Sequence, residues 1–191
     1  MIKKSLILVV VIIVFLSGCS RSDYVEPEKR TVVTSLILDY KQENYELIIE
    51  TVTFKKQSDN TPYTPEYVKG SGEDIFSALN SAQNEISSQI SLYHCSLLIC
   101  KDSVFKIKKK EIFDFILNTP QISLGADLLV CRDTYSLLFD EENFLGYVIS
   151  DAVNLKNAKT SILDIIKGNK SPYTVSVNED KKIIITENLN D

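Results

Sequence analysis

The chain contains a single histidine, His94, so any imidazole chemistry must use it. One imidazole cannot make a two-histidine metal site. A nucleophile–base arrangement would need a serine or cysteine turned toward that ring. Cys95 is its neighbour, but adjacent residues of a strand point to opposite faces, which holds the two side chains apart. Gly70-Ser71-Gly72 lacks the G-x-S-x-G frame of a nucleophile elbow and reads as a helix cap. It also lacks a third glycine and a preceding strand, which argues against a phosphate cradle. Glu73-Asp74 and Asp140-Glu141-Glu142 could attract a cation, yet helix-start and surface roles explain both. Lys106, Lys108, Lys109 and Lys110 form a basic cluster, either a solvated face or a contact for anionic headgroups. No catalytic residue, metal site or cofactor is expected.

A different chemistry is written at Cys19. Lys3 and Lys4 precede an apolar run from Ser5 to Leu16. That run is too short for a membrane span, which needs roughly 20 apolar residues to cross ~30 Å of hydrocarbon. Its ending, Leu16-Ser17-Gly18-Cys19, resembles the lipobox of bacterial lipoproteins. The resemblance implies cleavage of a signal peptide before Cys19 and a diacylglycerol on its sulfur, with palmitate-type chains. An uncleaved anchor or a plain secretory signal are the other readings. Two acyl chains bind a membrane stably where one is marginal. The lipid on Cys19 would hold the chain at the extracytoplasmic face of the cytoplasmic membrane.

Without residues 1–18 the chain keeps 19 basic and 26 acidic residues, a balance of −7. That argues against a nucleic-acid partner, which requires a basic face to neutralise phosphates. Cys95, Cys100 and Cys131 remain, with no metal or redox spacing. Read on one strand, Cys95 and Cys100 fall on opposite faces, ~16 Å apart, and cannot bond. Cys131 could meet one of them across a sheet, or all three are buried small hydrophobes.

The elements that must carry these residues follow from periodicity. Residues 20–30 are polar and read as a tether. Thr31 to Asp39 and Tyr45 to Phe54 read as a hairpin, and Lys55 to Lys69 as a surface loop. A helix capped by Ser71 carries Ile75, Leu79, Ala82 and Ile86 on one face. A strand over Leu92 to Cys100 precedes a helix near Lys108 to Asn118, stopped by Pro120. Gly125 to Arg132 is a further strand, followed by a helical segment at Thr134 to Phe139. The tail gives a helix over Asn154 to Lys167, ended by Gly168, and strands at Tyr173 to Val177 and Lys182 to Thr186. A lone hairpin is marginal in water, so this one must lie on the helix or on the main sheet. The expected class is α/β, α+β-like in character: a mixed β-sheet packed by helices in the order β-β-α-β-α-β-α, then a helix and hairpin. The expected organisation is a signal at 1–18, a tether at 19–30, a domain at 31–150 and a C-terminal appendage at 151–191.

The pieces in this order resemble a family. A lipobox is followed by a hairpin ending at Asp39, then Gly70-Ser71-Gly72 leading into a helix. His94 opens an apolar strand, and an Ile112–Leu117 helix leads through Pro120-Gln121-Ile122 to another. The series resembles the N-terminal domain of the Ger(x)C spore germination lipoproteins, the C subunits of nutrient germinant receptors, over roughly residues 15 to 140. The resemblance implies a non-enzymatic lipoprotein at the spore inner membrane, assembled with receptor subunits that are integral membrane proteins. The alternative is a small-ligand-binding extracytoplasmic lipoprotein outside germination.

Overall fold

Val33, Leu36, Leu38 and their neighbours make β1 (Arg30–Lys41), the strand against which most of the molecule is assembled. The structure, a computed structural model, describes residues 30–52, 65–134, 145–178 and 182–187. β1 pairs antiparallel with β2 (Asn44–Val52), Leu38 facing Leu47 and Lys41 facing Asn44. The turn between them is only Gln42-Glu43, both at positive φ (49° and 65°), the left-handed pair that matches strand twist in tight hairpins.

The segment read as loop, Lys55 to Lys69, contains the start of a third strand. β3 (Glu66–Gly72) pairs antiparallel with β2. Its two glycines and two charged residues hide the usual apolar alternation, because it is the outermost strand of the path. Ser71 therefore lies in β3 and does not cap the helix. The cap of α1 (Ile75–Asn84) is Asp74, whose carboxylate accepts the Ser77 amide at 2.6 Å. Ile75, Ala78 and Ala82 are the buried face of α1.

The apolar run Leu92 to Cys100 is not one strand. β4 (Gln89–Ser91) lies parallel beside the start of β1, and β5 (Leu97–Lys101) lies parallel farther along it. Between them the Cys95 amide closes a turn on the Leu92 carbonyl at 3.0 Å, putting Tyr93 and His94 in solvent. The turn also resets the alternation, so Cys95 and Cys100 join the same core. α2 (Asp102–Leu117) begins directly after β5, earlier than its apolar spacing suggests, and kinks at Lys108. β6 (Asp127–Cys131) pairs parallel with β5.

Most of the helical segment expected at Thr134 to Phe139 lies outside the described residues, as do the signal and tether. Of the helix expected over Asn154 to Lys167, only Asn154 and Leu155, the end of an earlier helix α3 (Leu145–Leu155), and α4 (Ile162–Ile166), capped by Ser161, are helical. Ala158 and Thr160 are buried in the connection, and Asn157 takes a positive φ of 51° that no continuous helix allows. Gly168, at φ 73°, follows the end of α4 as expected.

β7 (Tyr173–Val177) and β8 (Ile183–Thr186) form the foreseen antiparallel hairpin. It adds to the main sheet through parallel pairing of β7 with β6. The sheet order is β3-β2-β1-β5-β6-β7-β8, with β4 alongside β1. This is the mixed sheet packed by helices that the sequence implies. α1, α2 and α4 cover one face, where Leu36, Leu98 and Leu128 meet Ile112, Phe115 and Ile162. On the other face α3 lays Leu145, Ile149 and Val153 over Ile37, Ile99 and Leu129. Among the described residues no helix is long and apolar enough to cross a membrane.

Candidate functional site

Three carboxylates among the described residues are buried, Glu50, Asp39 and Asp127, and the first two each organise a cluster. Glu50, on β2, is 0 % exposed. Its carboxylate accepts from Thr34 Oγ1 at 2.5 Å, Ser35 Oγ at 3.0 Å and Tyr67 Oη at 3.2 Å. The Gly146 amide, in the first turn of α3, adds bonds of 3.1 and 3.3 Å. These donors are neutral, so the balancing positive charge is the partial charge at a helix amino terminus. The irregularity in β1 between Val33 and Ser35 turns consecutive hydroxyls, Thr34 and Ser35, toward one oxygen, Oε2. Gly146 permits the approach, since a Cβ there would stand 2.9 Å from Oε2. Glu50 thus joins three strands and a helix. An open cleft of about 360 Å³ lies beside it, lined by Thr34, Val52, Ser96, Gly146, Tyr147 and Ser150.

Asp39 closes the other end of β1 and is 2 % exposed. Lys41 stands 3.0 Å and Lys101 3.8 Å from its oxygens, the Thr134 hydroxyl donates at 3.0 Å and the Tyr40 amide at 2.7 Å. Burial alone would raise this carboxyl; the Lys41 bond, the Tyr40 amide, Thr134 and Lys101 outweigh it and hold Asp39 below the ordinary range. A depressed folded-state value stabilises the fold above the unfolded value of about 3.9, and that contribution disappears as pH falls through the lower folded value. Urea unfolding at pH 7 and at pH 3 should therefore show a steeper acid loss for the native chain than for Asp39→Asn. Parallel pH curves for the two would contradict the assignment. Asp127, at the start of β6, behaves oppositely: burial pushes it up despite the Thr160 amide at 3.1 Å.

A family model described as the spore germination protein N-terminal domain matches residues 23–178. The chain belongs to this family of spore germination proteins. No curated protein and no solved structure shows a significant match. The family match runs through β7, so it takes in the tail strand that completes the parallel part of the sheet.

Within this family domain, the residues singled out from sequence stay apart. His94 sits in the exposed turn before β5, while Ser71 is on the far edge strand. Cys95, Cys100 and Cys131 are free and buried. Burial pushes the Cys95 and Cys131 thiols up to about 12 and Cys100 well above its ordinary value, so they stay protonated and inert. The lysine cluster is internally balanced: Lys106 pairs with Asp102, Lys108 with Glu111 and Lys110 with Asp114. Lys109 lies over the Phe105 and Phe113 rings, and Lys108 over Tyr40. Asp74 caps α1, Glu73 precedes it in solvent, and Asp140-Glu141-Glu142 lie outside the described residues. Among the described residues no cluster of three metal-ligating side chains occurs. Cys19 also falls outside them. The residues that sequence reasoning passed over are Glu50 and its partners. The available signal was a carboxylate that directly follows the apolar run Leu47-Ile48-Ile49, which a buried strand tolerates only with bonding partners.

Proposed function

We propose that this chain is a lipid-anchored, non-enzymatic subunit of a nutrient germinant receptor, acting in assembly or signal relay. Membership of the spore germination family carries the reading. The Leu16–Cys19 motif supports a diacylglyceryl anchor on Cys19, which would place the domain at the extracytoplasmic face of the spore inner membrane. Its neighbours there would be the integral membrane subunits of the receptor. Glu50 is engaged in holding three strands and a helix together and Asp39 in tying the end of β1 to its neighbours, which supports a role in contact rather than in bond chemistry.

The anchor is tested directly by Cys19→Ala. The variant should lose incorporation of labelled palmitate, leave the membrane fraction, and slow nutrient-triggered germination of spores that carry it. Retention in washed membranes with an unmodified Cys19 in the native chain would remove the anchored-subunit reading.

A further inference from the structure

The end of the sheet where β1 begins leaves several large side chains in solvent. Arg30 opens β1 there, beside Gln89 of β4. The turn that follows β4 carries Tyr93, 63 % exposed. α2 runs back from the opposite end of β5, and its last residue, Leu117, is exposed. The loop after it touches the same turn, with Gln121 Oε1 accepting the Leu92 amide at 3.0 Å. Leu163 in α4 is exposed while its amide bonds the Leu124 carbonyl, just ahead of β6. Tyr147, 75 % exposed, borders the cleft formed with Thr34 and Ser96, in the half of β1 nearer Arg30.

What covers this end follows from the tether. Cys19 and Arg30 are eleven residues apart in sequence. Eleven residues reach at most ~40 Å. β1, twelve residues long, carries the opposite end of the sheet about 36 Å farther away. A lipid on Cys19 thus presents the Arg30 end to the bilayer at higher effective concentration than the Lys41–Lys101 end.

We propose that this pole seats on the phospholipid surface, with Tyr93, Leu117, Tyr147 and Leu163 reaching the headgroup–acyl boundary. The inference rests on acylation of Cys19. Tyrosine suits such a boundary, with an apolar ring and a polar tip. Arg30, Lys159 and Lys170 at this end are outnumbered by Glu66, Glu85, Asp164 and Glu187, so contact is driven by apolar area and not by attraction to anionic headgroups.

The chain has no tryptophan, which gives a clean probe. Tyr93→Trp, Tyr147→Trp and, as a control at the far end, Ile107→Trp are made in the full-length acylated protein. Each is reconstituted with phosphatidylcholine vesicles, with or without brominated acyl chains. Positions 93 and 147 should lose most of their emission to the brominated lipid, at low and high salt alike, and position 107 almost none. Equal quenching at 107, or full emission at 93 and 147 in protein that floats with the vesicles, overturns the proposal while leaving the anchor intact. Protein that does not float at all overturns both.

Discussion

Gly70→Ala is expected to destabilise the domain by about 3–5 kcal/mol, a large share of the 5–15 kcal/mol that holds an ordinary domain folded. A Cβ on Gly70 would stand 2.0 Å from the Ala78 carbonyl oxygen and 2.5 Å from the Ala82 amide nitrogen. Both atoms are backbone of α1, so no rotamer change relieves the overlap. The helix must lift from β3, uncovering Ile75, Ala78 and Ala82 and opening a gap over Leu47 and Ile49. Gly125→Ala, whose nearest new contact is a serine hydroxyl at 3.4 Å, should stay within about 0.5 kcal/mol and serves as the control. The measurement is the urea midpoint of the three chains. Equal midpoints for native and Gly70→Ala protein would show that the β3–α1 contact is looser than described here.

Glu50→Ala should be comparably damaging, at about 3–5 kcal/mol, for a different reason. Deleting the carboxylate leaves Thr34, Ser35, Tyr67 and the Gly146 amide without their acceptor, in a place where the side chain itself is 0 % exposed. Glu50→Gln retains one acceptor oxygen but turns an NH₂ toward groups that already donate, so a smaller loss of about 1–2 kcal/mol is expected. The location of the damage separates this from generic destabilisation. Amide hydrogen exchange at Gly146 and through the first turn of α3 should accelerate in both variants before the β5–β6 core is affected. Uniform acceleration across the sheet would mean that Glu50 does not clamp α3.

Where sequence and structure diverge, the causes are specific. α1 and the tail hairpin were legible because their apolar residues repeat at the period of their own element, and the β1–β2 hairpin and β6 because of short β-branched or aliphatic runs. β3 was hidden because an outermost strand needs little apolar surface, and its glycines are there for a helix that approaches from above. The Leu92–Cys100 run misled because a turn of apolar and aromatic residues carries no glycine, proline or asparagine to mark it. α3 has Leu145, Ile149 and Val153 at regular four-residue steps, but Gly146 and Asp151 among them weakened the signal. Of the Glu50 cluster, only the carboxylate was visible. Its donors include an amide 96 positions away, and the two hydroxyls converge through an irregularity in β1 that no local pattern announces.

The order in which the strands pair bears on how the chain can be made. β2 joins β1, β3 joins β2, β4 and β5 return to β1, and then β6, β7 and β8 each join the strand before. Every strand therefore finds its partner among segments already synthesised. The short-loop meander can close first as a template, and the slower long-range closures of the parallel half extend it outward in the direction of translation. The two carboxylates on those early strands, Asp39 and Glu50, are completed last, when Thr134 and Gly146 arrive 95 and 96 positions later.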